Sequence, residues 1–156
     1  MMKELRKFIG LEGNPLLMEV EKGAIRRYAD AVGDYSPLYR DEEYAKGSRS
    51  GSIIAPPGFF GWPVEGGDLR GQLDIRKKIT DFLAERGYRR LVEGELGFDY
   101  FTPVYAGDKL IAKPKITDIY KRESKRGKIF FIVIEITFTR QGDNPVARLH
   151  QTLIIR

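Results

Sequence analysis

The second half of the chain alternates apolar and polar residues with the two-residue period of β-strands, and this pattern constrains the fold most. The alternation comes in four runs separated by glycine-containing turns, at about 90–104, 108–121, 127–141 and 145–156. The third run has one face that is apolar throughout: Phe130, Ile132, Ile134, Ile136 and Phe138. Its other face begins apolar and becomes polar at Glu135. We therefore predict that this run is a central strand of an antiparallel sheet.

Two amphipathic helices are predicted before the strands. The first ends at Gly33 and places four apolar residues on one stripe: Ile25, Tyr28, Ala29 and Val32. The second ends at Gly87, and its stripe consists of Ile75, Ile79, Phe82 and Leu83. A helix followed by an antiparallel meander predicts an α+β fold in which a sheet wraps a helix. The length of 156 residues predicts a single domain over 1–156.

Shorter elements are predicted between these helices. Residues 15–20 form a short strand, and Asp41 caps a short helix over 41–46, with acidic residues in its first turn. A Gly/Ser-rich loop follows. Because Pro56 and Pro57 favour the start of a helix, we expect a short, buried helix from Gly58 to Val64.

Composition excludes several kinds of site. The chain has no cysteine and one histidine, which excludes disulfides and thiolate metal sites and leaves few ligands for any other transition metal. Its longest apolar run, 129–134, is too short to cross a bilayer, and the charged N-terminus lacks the features of a signal peptide. We expect a cytoplasmic protein with no membrane partner. Scarce Asn and Gln together with abundant charge favour a thermophilic source.

The net charge of +5 is concentrated in the segment 121–128. This segment lies between two predicted strands, so we interpret it as a hairpin loop exposed to solvent. Nucleic-acid binding usually combines basic residues with interleaved exposed aromatic residues or a known module. The sequence shows neither arrangement, and no nucleic-acid partner is predicted.

The candidate site is the loop between Gly33 and Asp41. Asp34 is a possible general acid or base, and a second proton carrier is expected five residues later. That position is Tyr39, whose ordinary pKa of about 10 makes it a poor base near neutral pH. The chain therefore carries one half of an acid–base pair. The plainer alternatives are that Asp34 bonds the amides of its own loop and that Tyr39 is a packed aromatic residue.

The loop resembles that of the MaoC-like (R)-specific enoyl-thioester hydratases, which are also called 3-hydroxyacyl-thioester dehydratases when the reaction runs in reverse. The family loop has the pattern Asp-x-Asn/Ser-Pro-x-His-x-Asp, and the segment here is Asp34-Tyr35-Ser36-Pro37-Leu38-Tyr39-Arg40-Asp41. Further along, Pro103, Gly107 and Asp108 resemble the family's Pro-x-x-x-Gly-Asp turn, and 147–156 resembles its closing strand. The resemblance implies a hot-dog fold, in which an antiparallel sheet wraps a central helix.

The resemblance also implies a substrate and its site. The substrate would be an acyl thioester of coenzyme A or of acyl carrier protein, with no other cofactor. Asp34 and Tyr39 would occupy the catalytic positions. An amide from Gly58 or Phe59, at the N-terminus of the central helix, would polarise the thioester carbonyl. The residues expected around the substrate are Ser36, Pro57, Gly58, Phe59 and Phe60.

With Tyr39 in place of histidine, the chain resembles the non-catalytic halves of the family, which bind substrate beside a catalytic partner. We therefore expect a heterodimer with a histidine-bearing subunit. Two alternatives stay open. One is a homodimeric hydratase that uses Asp34 without a histidine, and the other is a non-enzymatic module that binds acyl-CoA and docks on a thiolase-like enzyme.

Overall fold

The structure, a computed structural model, describes residues 1–64, 70–125, 127–140 and 144–156, with the side chains of 70–73 excepted. Among the described residues, four α-helices precede the main strands: α1 Met2–Leu5, α2 Lys22–Val32, α3 Glu42–Gly47 and α4 Arg70–Ala84. The strands are β1 Leu16–Glu19, β2 Trp62–Pro63, β3 Leu91–Tyr100, β4 Lys109–Ser124, β5 Gly127–Thr139 and β6 Pro145–Ile155. They form one antiparallel sheet in the order β2-β1-β4-β5-β6-β3. The predicted α+β architecture is confirmed.

Strand β5 lies at the centre of the long-stranded part of the sheet, as its pattern predicts. It pairs along its length with β4 on one side and β6 on the other. The five residues of its apolar face are all buried in the core: Phe130, Ile132, Ile134, Ile136 and Phe138. A strand hydrogen-bonded on both edges and apolar on one face has one register that buries that face.

Two helices cover parts of the apolar core. In α4, Ile75, Ile79 and Leu83 are buried, so its predicted stripe is confirmed. In α2, Ile25 and Ala29 are buried, but Val32 is 57% exposed and does not belong to the core. Val32 occupies the last turn of α2, directly before the chain turns away. No helix among the described residues is both long and apolar enough to cross a membrane.

The helix predicted from Gly58 to Val64 is wrong. Gly58 and Gly61 have φ angles of 88° and 90°, which a right-handed helix excludes. The segment instead turns into β2, where Trp62 lies opposite Glu19 of β1. A Cβ on Gly61 would lie 2.4 Å from the carbonyl oxygen of Glu19, so the close approach of the two strands requires glycine here.

The described residues of the basic segment, 121–125, 127 and 128, are exposed to solvent as predicted, but most of them belong to strands. Strand β4 continues to Ser124 and β5 begins at Gly127, with cross-strand pairs from Lys121↔Phe130 to Ser124↔Gly127. Most of the segment is therefore an exposed β-ladder rather than a loop.

We predict that Gly61→Ala destabilises the fold far more than the same substitution at another glycine with a similar φ angle. Gly87 has φ 91° with nothing within 4 Å of an added Cβ, so Gly87→Ala should cost only the left-handed strain of about 1 kcal/mol. Gly61→Ala adds a backbone clash and should cost more than about 3 kcal/mol. Urea unfolding of both variants measures the difference, and equal losses would contradict this account of β1–β2.

Candidate functional site

The loop after α2 is shaped by its own side chains. The Asp34 carboxylate accepts a hydrogen bond from the Ser36 amide at 3.2 Å, and the Ser36 hydroxyl accepts one from the Leu38 amide at 3.4 Å. Residues 37–39 then form a single 3₁₀ turn. Asp41 accepts from the Tyr44 amide at 3.0 Å and caps α3, as predicted. Ser36 thus has a structural role in the loop.

Arg40 fastens this loop to α2. Its guanidinium binds the Asp30 carboxylate at 2.9 Å and donates to the Asp34 carbonyl at 3.2 Å. The same group lies over the ring of Tyr35, 5.3 Å from its centroid. Because one planar guanidinium holds three neighbours, the backbone on both sides of Asp34 is fixed relative to the helix.

Tyr39 is directed into the protein and meets Asp34. Its side chain is 9% exposed. Burial, the negative charge of Asp34 and a hydrogen bond to its carboxylate all raise the pKa of Tyr39. The structure therefore brings together the two residues that the loop pattern singles out. The raised pKa keeps the Tyr39 phenol protonated near neutral pH, so this hydroxyl donates a hydrogen bond to Asp34 and does not serve as a base.

A cavity of about 360 Å³ opens beside Tyr39. Its wall comes from two chain segments, 54–59 and 100–104, and is mainly apolar. The predicted residues Pro57 and Phe59 belong to this wall, together with Tyr100 and Val104. Tyr39 borders the cavity, whereas Asp34 does not belong to the wall described here. The second cavity, of about 560 Å³, shares Ile54 and Pro103 with it.

Arg140 and Asp108 hold the 100–104 side of the cavity. The Asp108 carboxylate accepts from the Tyr105 amide at 2.8 Å and binds the Arg140 guanidinium at 2.8 Å. Arg140 also donates to the Thr102 hydroxyl at 3.0 Å and to the Pro103 carbonyl. The Gly-Asp turn of the sequence is therefore an anchor for the cavity wall. Arg140 was not predicted, because a lone arginine at the end of a strand carries no local signal.

The amide of Gly58 has a partner that the sequence does not reveal. It donates a hydrogen bond to the Tyr100 hydroxyl at 2.7 Å. Burial raises the pKa of Tyr100, partly offset by this bond. A Cβ on Gly58 would lie 2.7 Å from the Tyr28 hydroxyl, so two tyrosines surround the glycine. The prediction that this amide lies at a helix N-terminus is wrong, because no helix begins there.

The two phenylalanines after Gly58 have different positions. Phe59 packs against Tyr28, with ring centroids 5.1 Å apart, and borders the cavity. Phe60 is buried in a stack with Phe98 and Phe138, whose centroid lies 4.1 Å from its own. Phe60 is therefore a core residue that supports the wall from behind. Sequence alone does not separate the two, because the turn at Gly58 and Gly61 sets their directions.

The single histidine lies on the other face of the sheet. The Nε2 atom of His150 is 2.8 Å from the Asp99 carboxylate, and its Nδ1 atom is 3.7 Å from Glu135. Asp99 lies between Phe98 and Tyr100, which pack on Phe60, so its side chain is directed to the opposite face. His150 is thus part of a partly exposed polar cluster on the opposite face of the sheet from Phe60.

We predict that Tyr39→Phe loses less unfolding free energy than wild type when the pH is raised into the alkaline range. The folded-state pKa of Tyr39 is raised above the value of about 10 of an exposed tyrosine, so its stabilising contribution is complete below about pH 10 and disappears as pH rises through the raised pKa. Unfolding free energies at pH 9 and about pH 11 measure this difference. Tyr35→Phe, at a 69% exposed position, is the control and should follow wild type. Wild-type behaviour of Tyr39→Phe would contradict the prediction.

Comparison with known proteins identifies a family and several relatives of this chain. A family model described as "FAS1-like, dehydratase domain region" matches residues 7–149. A UPF0336 protein from Saccharopolyspora erythraea is 31% identical over 157 residues, covering 97% of this chain and 90% of the relative. A probable enoyl-CoA hydratase alpha subunit from Thermomonospora curvata is 26% identical over 129 residues. That match covers 79% of this chain and 40% of the relative.

Solved structures show the same fold. A chain of the ChsH1–ChsH2 complex from Mycobacterium tuberculosis superposes with a TM-score of 0.84 at 21% identity, covering 99% of this chain and 92% of the other. A MaoC-like dehydratase superposes with a TM-score of 0.69 at 25% identity, covering 96% of this chain and 42% of the other. Together with a sheet whose core packs on α4, these matches show that the chain belongs to the MaoC-like dehydratases of the hot-dog fold.

Proposed function

We propose that this chain is the substrate-binding half of a heteromeric (R)-specific enoyl-thioester hydratase, or 3-hydroxyacyl-thioester dehydratase. A partner subunit would supply the complete Asp–His pair. One observation carries the proposal: the position expected to hold histidine is Tyr39, whose buried phenol is bound to Asp34. The site therefore holds one carboxylate without a second group that exchanges protons near neutral pH.

The chemistry explains why this matters. Hydration of an enoyl thioester requires one group to take a proton from the water that attacks C3 and another to deliver a proton to C2. A carboxylate and an imidazole can exchange these roles near neutral pH, but a phenol with a raised pKa cannot become the base. Asp34 also lies outside the wall of the cavity, so Tyr39 separates it from a bound acyl chain.

The Gly58 amide supports the same role. Stabilisation of a developing oxyanion needs an amide that is free to donate to it. Here the Gly58 amide already donates to Tyr100 at 2.7 Å. A substrate carbonyl would have to displace that phenol, so a pre-formed oxyanion site is expected in the partner.

The cavity is suited to the acyl part of the substrate. Its wall of prolines, aromatic rings and Val104 is mainly apolar, and about 360 Å³ is within the usual range for a small-molecule pocket. We propose that the acyl chain occupies it, with coenzyme A or acyl carrier protein as the thioester handle and no other cofactor. The handle would leave through the second cavity, which shares Ile54 and Pro103 with the first.

Strand β3 is the proposed docking edge for the partner. It lies at the end of the sheet and pairs only with β6 among the described strands. Large apolar residues on and next to this edge are exposed: Leu91, Val92, Leu96, Tyr100 and Phe101. A long, apolar, unpaired edge is normally covered in a stable protein. Since β3 runs directly into the cavity wall at Tyr100, a partner on this edge would adjoin the acyl cavity.

The names of relatives support a subunit role. The Thermomonospora curvata relative is named as an alpha subunit, and the Mycobacterium tuberculosis structures similar to this chain are the ChsH1–ChsH2 and HadBC complexes. HadBC is described as a 3R-hydroxyacyl-ACP dehydratase. Complementary subunits of this kind account for a chain that keeps the fold without the histidine.

We predict that Asp34→Asn leaves the turnover of the reconstituted complex within about threefold of wild type. Asparagine keeps the oxygen that accepts from the Ser36 amide, so the loop is preserved. The matched Asp→Asn change in the histidine-bearing partner should reduce kcat by at least about 100-fold. Hydration of crotonyl and longer enoyl thioesters, followed spectrophotometrically, measures both.

Three outcomes would overturn this proposal. Turnover by the isolated chain that Asp34→Asn abolishes would show a homodimeric hydratase that needs no histidine. Binding of acyl thioesters without turnover, alone and with every histidine-bearing partner, would show a binding module. No gain in activity or binding on reconstitution would exclude the subunit role.

We predict that Val104→Phe shortens the acyl chain that the complex accepts. Val104 is 5% exposed and lines the cavity, so a phenyl ring there occupies space that a long chain needs. Affinity for long enoyl thioesters should fall about tenfold, while crotonyl thioesters bind as before. Val32→Phe, at a 57% exposed site away from the cavity, is the control. Thermal unfolding checks that the larger ring is tolerated, and the smaller Val104→Leu change repeats the test if it is not. An unchanged chain-length profile would exclude this cavity as the acyl site.

A further inference from the structure

A groove rich in positive charge lies at the opposite end of β3 from the acyl cavity. This cationic groove has a volume of about 520 Å³, and its wall includes Arg89, Arg90, Lys128 and Arg156. Strand β3 runs from Leu91 beside the groove to Tyr100 beside the acyl cavity. At about 3.3 Å per residue the two ends of the strand are about 30 Å apart. The groove is therefore a separate site, and its assignment does not depend on the acyl cavity.

The arrangement of charge in the groove is unfavourable without a ligand. Arg90 and Arg156 extend the β3–β6 ladder by one residue pair: the Arg90 amide donates to the Arg156 carbonyl at 2.8 Å, and the reverse bond measures 2.9 Å. Like charges directly opposite one another destabilise a pair of strands. The wall described here contains no Asp or Glu side chain, and the main-chain carboxylate of Arg156 offsets only one of its four positive charges.

Little of this charge is neutralised elsewhere. The Nε atom of Arg89 donates to the Ala84 carbonyl at the end of α4, at 3.4 Å, which leaves the rest of its guanidinium available. Lys128 lies opposite Glu123 in the β4–β5 ladder, but that carboxylate binds Lys121 at 3.2 Å. The guanidinium groups of Arg90 and Arg156 have no ion pair with any described residue. Four cations thus converge on one concave surface.

The groove also has an aromatic wall. Tyr88 belongs to it, and its ring packs edge-on against the buried Phe130, with centroids 4.7 Å apart. This contact holds the tyrosine ring in a fixed orientation. A fixed ring beside arginine side chains suits a planar, electron-rich group joined to an anion.

We infer that the cationic groove binds the phosphates of an adenine nucleotide. Guanidinium groups match phosphate oxygens in paired hydrogen bonds, and three of the four cations are arginines. The volume is within the range of small-ligand pockets, and the base would lie against Tyr88. Free nucleotides and the nucleotide end of coenzyme A share this chemistry.

Calorimetric titration of the full chain tests this inference. The probes are pyrophosphate, ADP and adenosine 3′,5′-bisphosphate. Both nucleotides should bind more tightly than pyrophosphate, and Arg90→Ala or Arg156→Ala should weaken nucleotide binding at least about tenfold. Arg26→Ala removes an exposed arginine of α2 that has no ion pair with a described residue, and should change nothing. A preference for the 3′,5′-bisphosphate identifies coenzyme A as the source, and a preference for ADP identifies a free nucleotide.

A stability measurement separates lost binding from lost structure. Without ligand and at low salt, Arg90→Ala should melt at or above the wild-type temperature, because it removes a like-charge pair. If Arg26→Ala weakens nucleotide binding as much as Arg90→Ala does, the effect comes from overall charge and the inference is overturned. The absence of binding, or equal affinity for pyrophosphate and the nucleotides, would also overturn it.

Discussion

Strand β5, paired on both sides, is the constraint on which the rest of the structure depends. Its apolar face supplies Phe130 and Phe138 to the two ends of the core, and each buried ring of this size contributes on the order of 2 kcal/mol. Phe130 holds Tyr88 at one end, and Phe138 holds Phe60 at the other. A shift of β5 by one residue would expose this face and move both ends of the sheet. The acyl cavity and the cationic groove therefore depend on the same strand register.

Around the acyl cavity, several polar side chains hold the walls in place. Arg140 and Asp108 fasten the segment that leads into β4, and Arg40 fastens the loop that carries Asp34. Tyr39 binds Asp34, and Tyr100 binds the Gly58 amide. Each group that a hydratase would need free for its substrate is engaged with a neighbouring phenol. These satisfied polar groups keep the wall of the cavity rigid, as the proposed substrate-binding role requires.

The distribution of charge separates the two ends of the sheet. Near the acyl cavity Arg140 is neutralised by Asp108, and on the outer face Arg148 is paired with Glu135 at 3.3 Å. At the groove, by contrast, Arg90 and Arg156 face each other across a ladder, and the described part of the wall has no Asp or Glu side chain. Proteins tolerate such a local cost in stability chiefly where function requires it.

The sequence by itself determined the strand-rich second half, the central place of β5, the two long helices and the loop that carries Asp34 and Tyr39. These features are local: alternation at period two, an apolar stripe at helical spacing and a glycine stop all act over a few residues. The resemblance to the MaoC-like family rested on the same local motifs. It placed Tyr39 in the position of the missing histidine before any contact was visible.

Only the tertiary structure decided how distant residues meet. The turn at Gly58 and Gly61 follows from the close approach of β1, which no local pattern encodes, and so the helix expected there does not form. The same turn separates Phe59 in the cavity wall from Phe60 in the core. The pairing of Gly58 with Tyr100, of Asp108 with Arg140 and of Arg90 with Arg156 joins residues at least 32 positions apart. Such contacts depend on the register of the whole sheet, and this is why sequence patterns located the loop but not the walls of the site.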